Sequence, residues 1–83
     1  MIDIVTKVFP GIFKCTVAIR DCEQGYYREE KVPFKDLASF IVSQENVRDV
    51  HLFGAEKYVK KIQEECLTKY TTNNIPNFLI NSK

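Results

Sequence analysis

The chain has 83 residues, of which 45% are hydrophobic, 28% charged and 12% aromatic. One small domain over residues 1–83 is expected, burying only about 60–65% of the surface its unfolded form exposes, which excludes a two-domain enzyme or a long solenoid. Twelve Lys and Arg against eleven Asp and Glu leave a formal charge of +1, unlike a strongly basic nucleic-acid binder or an acidic DNA mimic.

Residues 2–9 are rich in Ile and Val and read as a strand, closed by Pro10-Gly11. Residues 12–20 carry the cleanest two-residue alternation, with Phe13, Cys15, Val17 and Ile19 on one face and Lys14, Thr16 and Arg20 on the other. Residues 21–25 read as a hairpin loop in which Gly25 supplies positive φ. Residues 26–32 form a third, mostly polar strand with one solvated face, ended by Pro33.

Leu37, Phe40 and Ile41 recur at helical spacing and predict a helix over 35–45, with Asn46 as its stop. Residues 47–53 make a short strand before Gly54; its alternation sets Val47, Asp49, His51 and Phe53 against Val50 and Leu52. A second helix follows, with a stripe of Ala55, Tyr58, Val59, Ile62, Cys66 and Leu67. Its other face is charged, and Glu56–Lys60 and Glu65–Lys69 are well-oriented i,i+4 pairs. Residues 71–74 read as a turn. Residues 75–80 form a last strand that Pro76 confines to an edge or a strand start.

An α+β fold is expected: a three-stranded antiparallel meander, then helix, strand, helix and a final strand, in a mixed sheet with both helices packed on one face. The fourth strand can lie parallel to the first, as a helical crossover allows. This element order resembles the core of the ribonuclease H-like fold in miniature. The resemblance implies two Mg²⁺ ions held by carboxylates of the first strand, the end of the fourth and a later helix. Two such ions clamp the attacking and leaving oxygens. The carboxylates here depart from that pattern. Asp3 stands near the beginning of its strand, Asp49 precedes the end of the fourth, and Glu56 and Glu64 fall on a solvated helix face. No catalytic residue, cofactor or metal ligand is assigned, and the chain is read as a non-enzyme.

Cys15, Cys22 and Cys66 are odd in number, contain no C-x-x-C and share no zinc spacing with the single His51. Free thiols in a reducing cytoplasm are expected. Asp3 and Lys7 interrupt any signal-peptide core, and no apolar run reaches the roughly 20 residues that span a bilayer, so no membrane partner is expected. A Cys–His nucleophile pair needs both groups within reach, and nothing in the sequence sets a thiol beside His51.

Gly54 and Lys57, at a strand-to-helix junction, could contact an anion, although one glycine serves a tight turn equally well. Lys57, Lys60 and Lys61 interleave with Glu56, Glu64 and Glu65 as a solvated face does. Tyr26 and Tyr27 offer an interaction surface. So does the last segment, where Phe78 and Ile80 share one face and Leu79 takes the other.

The expected function is contact with another protein, of unstated identity, or with a second copy as a homodimer. Nine Lys against three Arg suit an AT-rich genome, so a phage or mobile-element modulator of a host protein is one form of this reading. A nucleic-acid-binding module and a degenerate metal-dependent nuclease are the alternatives.

Overall fold

A computed structural model describes residues 1–71 and 74–82. The elements run β1 (Ile2–Val8), β2 (Lys14–Asp21), β3 (Tyr26–Pro33), α1 (Phe34–Ser43), β4 (Val47–Gly54), α2 (Glu56–Lys69) and β5 (Asn77–Ser82). They form one mixed sheet in the order β3-β2-β1-β4-β5. The meander β1–β2–β3 is antiparallel, whereas β4 pairs parallel to β1 and β5 parallel to β4. The expected α+β class, with a meander followed by helical crossovers, is the observed one. The expected turn at 71–74 lies partly outside the described residues.

The two-residue period sorts the strands into faces. Ile4, Thr6 and Val8 of β1 stand beside Cys15, Val17 and Ile19 of β2 and Val50 and Leu52 of β4, all buried. Phe78 and Ile80 extend this layer on β5. Both helices cover it. Helix α1 lies over β2 and β3 and buries Leu37, Ala38 and Ile41, and α2 lies over β4 and β5 and buries Val59, Ile62 and Cys66. The two helices also pack on each other, with Phe34 and Tyr58 meeting edge to face at 5.9 Å between ring centres.

Local chemistry explains the joints. In the β2–β3 hairpin, Asp21 Oδ1 accepts hydrogen bonds from the backbone N–H groups of Glu23 and Gln24, and Gly25 takes φ 67°. After α1, Asn46 adopts φ 58°, a conformation Asn tolerates better than most residues, and turns the chain into β4. The Glu56–Lys60 pair closes at 2.8 Å on the exposed face of α2.

Three expectations are corrected. Phe13 is not on the buried face of β2: the strand begins at Lys14, and Ile12 and Phe13 are 93% and 73% exposed. Pro10-Gly11 turns the chain there and lifts both side chains out of the sheet before the alternation starts. Leu67 leaves the buried stripe of α2 and is 42% exposed, while Ala55 is an exposed N-cap. A stripe drawn from 55 to 67 is wider than the strip of helix that the sheet can cover. Val47 does not share a face with Asp49 and His51 but packs on the core beside its partner Ile2. The β1–β4 register steps from Ile2↔Val47 to Asp3↔Asp49, so Arg48 is an extra, bulged residue and the alternation breaks there.

Candidate functional site

Among the described residues, no helix lies over the second face of the sheet. Register places its side chains in rows. Glu29, Ala18, Val5, His51 and Leu79 form the middle row, with Tyr27, Arg20, Asp3, Asp49 and Asn77 on one side of it. Lys31 and Thr16, and Lys7, Phe53 and Asn81, lie on the other side. Val5, Ala18, Arg20, Tyr27, His51 and Phe53 surround a shallow depression of about 280 Å³. Tyr27, Phe53 and Leu79 are 53%, 37% and 45% exposed around it. A solvated sheet face is normally polar, and this one carries the apolar side chains of Val5, Ala18, Phe53 and Leu79 among its polar ones.

Electrostatics on this face centre on Asp3. Its side chain is only 10% exposed, and Arg48, held at the bulge, donates from Nη2 to Oδ2 at 2.8 Å and from Nε to Oδ1 at 3.2 Å. Arg48 Nε also lies 3.6 Å from Asp49 Oδ2, and Asn77 donates to Asp49 Oδ1 at 3.2 Å. Two carboxylates paired across β1 and β4 would repel, and the guanidinium between them removes that penalty. Asp3 therefore titrates below its ordinary 3.8, chiefly through the hydrogen bond from Arg48.

A carboxylate whose folded pKa is depressed stabilises above its unfolded pKa and loses that contribution as pH falls through the folded value. The stability gap between the native chain and Asp3→Asn is thus expected to be full well above the ordinary 3.8 and to shrink as pH falls through and below that value. Urea titrations across that range check it; a gap that stays constant would show that the charge on Asp3 is not what matters.

The sequence-predicted positions separate. Tyr26 and Tyr27 take opposite faces: Tyr26 pairs with the buried Asp21 on the helix side, and Tyr27 stands on the helix-free face. Tyr27 donates its hydroxyl to Glu29 at 2.9 Å. Phe78 and Ile80 pack on the core, while Leu79 joins the helix-free face next to His51. Gly54 takes φ 138°, and a Cβ there would lie 2.5 Å from the Val8 carbonyl oxygen, so the glycine serves the close approach of β4 to β1. Lys57 Nζ rests 5.1 Å from the Tyr58 ring centre.

Asp3 and Asp49 meet on adjacent strands, yet Arg48 occupies both Asp3 oxygens, and among the described residues no cluster of three His, Cys, Asp or Glu could hold a metal ion. Glu56 belongs to α2 on the other side of the sheet, paired with Lys60. The sequence pattern assigned Val5 and Ala18 to no surface, and it set the exposed Phe13 on the buried face of its strand. The turn signal Pro10-Gly11 just before Phe13 was the available clue.

All three cysteines are free; Cys15 and Cys66 are buried and Cys22 is exposed. Burial pushes the Cys66 thiol up to about 12. Alkylation of the native chain is expected to label Cys22 alone within the time that urea-unfolded chain takes up three labels, read by intact mass. Rapid triple labelling without urea would contradict the packing of α2.

Among the described residues, no helix is long and apolar enough to cross a membrane. Compared with known proteins, the chain matches no family model, no curated protein and no solved structure.

Proposed function

We propose that this chain is a non-catalytic protein that works by binding other protein chains through the helix-free face of its sheet. One observation carries the reading: Val5, Ala18, Tyr27, His51, Phe53 and Leu79 bring apolar surface together on a sheet face that no helix covers among the described residues. The charged rim, with Arg20, Lys7 and Lys31 against Glu29 and Asp49, would set orientation. The Lys-rich composition fits an AT-rich phage or mobile-element genome, and the three free thiols fit a reducing cytoplasm, where the partner would be a host protein.

The sheet order, antiparallel on one side of β1 and parallel on the other, supports kinship with the ribonuclease H-like core. Fold alone does not carry its chemistry, and the Arg48 fork on Asp3 weighs against a metal-dependent nuclease.

A photo-cross-linking residue placed at Phe53, and separately at Lys60 on the helix side, tests the reading in the native cell. A discrete protein adduct from position 53 that Ala18→Arg abolishes, with none from position 60, is the expected result. No adduct from 53, or equal adducts from both, overturns it.

A second reading rests on Tyr27, His51 and Phe53 lying beside Arg20 on the same face, since aromatic rings on a sheet can stack on single-stranded bases. A gel shift on single-stranded RNA and DNA that weakens with salt and with Phe53→Ala would favour it over protein contact.

A further inference from the structure

We propose that two copies of this chain pair through β5, antiparallel and edge to edge, so that their sheets join into one. This adds a second copy to the protein-contact reading, at the β5 edge, which shares Leu79 with the helix-free face but not Val5, Ala18, Tyr27 or Phe53.

The sheet has two edges, β3 and β5, and each leaves one side of its backbone without a strand partner among the described residues. Such an edge is a template for another strand unless it is blunted. The β3 edge is blunted by Arg28, Glu29, Glu30 and Lys31 in succession. The β5 edge carries no charge at all from Asn77 to Asn81.

Its sequence is also self-complementary. Asn77-Phe78-Leu79-Ile80-Asn81 reads alike from either end, as polar, apolar, apolar, apolar, polar. An antiparallel partner centred on Leu79 sets Leu79 opposite Leu79 on the helix-free side. It sets Phe78 opposite Ile80 on the helix side and Asn77 opposite Asn81. Every residue then meets its own kind across a two-fold axis, which is the requirement of an isologous dimer.

The flank of α2 agrees. Tyr58 touches Phe34 and so marks the side of α2 that faces α1. Leu67 lies nine residues on, which at 3.6 residues per turn is the opposite flank, above the β5 edge. It is 42% exposed, and among the described residues no strand or helix lies beyond it. A strand of six residues spans about 20 Å, so the interface is small and association is expected in the weak, transient class.

Sedimentation equilibrium of the full chain, from about 1 µM to about 1 mM, is the first measurement. A monomer–dimer equilibrium is expected, with Leu79→Lys raising its dissociation constant at least about tenfold by setting two like charges opposite each other. Phe53→Lys should leave that constant unchanged. In a Cys22→Ser background, Leu79→Cys treated with oxidised glutathione should give a covalent dimer, because directly opposed residues of an antiparallel pair hold their Cα atoms about 4.5–5.5 Å apart, within the span of a disulfide. Phe53→Cys in the same background should not.

A chain that stays monomeric throughout, or a dimer that Leu79→Lys leaves intact, overturns the proposal. If Leu79→Lys does not fold by circular dichroism, the cysteine variant decides alone. If Phe53→Lys dissolves the dimer instead, the edge pairing fails while the protein-contact reading stands.

Discussion

Ile62→Ala is expected to lower the unfolding free energy by about 2–5 kcal/mol, the range for a large-to-small change at a sealed core site. Ile62 is fully buried on α2, in the layer that the helices share with Val50 and Leu52 of the sheet. Truncation there loses the transfer free energy of the removed carbons and leaves a void that flanking strands and helices cannot fill by relaxing. For a chain whose total stability is of order 5–15 kcal/mol, this is a large fraction. Leu67→Ala, five residues on, is the control: at 42% exposure it should cost no more than about 0.5–1 kcal/mol. Both are to be read by urea unfolding at dilution sufficient to keep the chain monomeric. Equal losses would mean that α2 presents a different face to the sheet.

Gly54→Ala should be as severe, for a backbone reason. At φ 138° an L-residue is strained, at about 1–3 kcal/mol. The new Cβ would also fall 2.5 Å from the Val8 carbonyl oxygen, a main-chain atom that the β1–β4 pairing holds in place. Together these predict a loss of about 3 kcal/mol or more, which for a domain of this size lowers the melting temperature by roughly 12–24 °C. Gly25→Ala separates the two causes. Its φ of 67° is left-handed, but no atom of the described residues lies within 4 Å of the added carbon, so about 1–2 kcal/mol is expected. If Gly54→Ala melts no lower than Gly25→Ala, the close approach of β4 to β1 is absent in solution.

Gly54 and the Arg48 bulge lie at the two ends of the β1–β4 pair beneath the helix-free face. Gly54 lets β4 lie tightly against β1 at one end, and the Arg48 bulge adjusts the same pair at the other. Between them the pairing is regular and sets Val5 beside His51. Arg48 meets Asp3 only because the extra residue changes its direction, so a two-residue alternation carried through 47–53 could not place it. The same bulge turned Val47 inward.

Local order determined much of this protein from its sequence. Alternation in residues 14–20, the Asp21–Gly25 turn and the repeat of Val59, Ile62 and Cys66 each follow from contacts within a few residues, where side-chain period and turn chemistry are sufficient. The meander and the crossovers follow from those elements in order, while the last strand, expected over 75–80 with Pro76 at an edge or a strand start, begins just after that proline, at Asn77. Tertiary structure alone decided what depends on residues far apart in the chain. It set Asp3 against Arg48 and gathered Val5, Ala18, His51 and Phe53 from three strands into one depression. It also left Phe13 and Leu67 uncovered, because a side chain of apolar type is buried only where another element comes to lie over it.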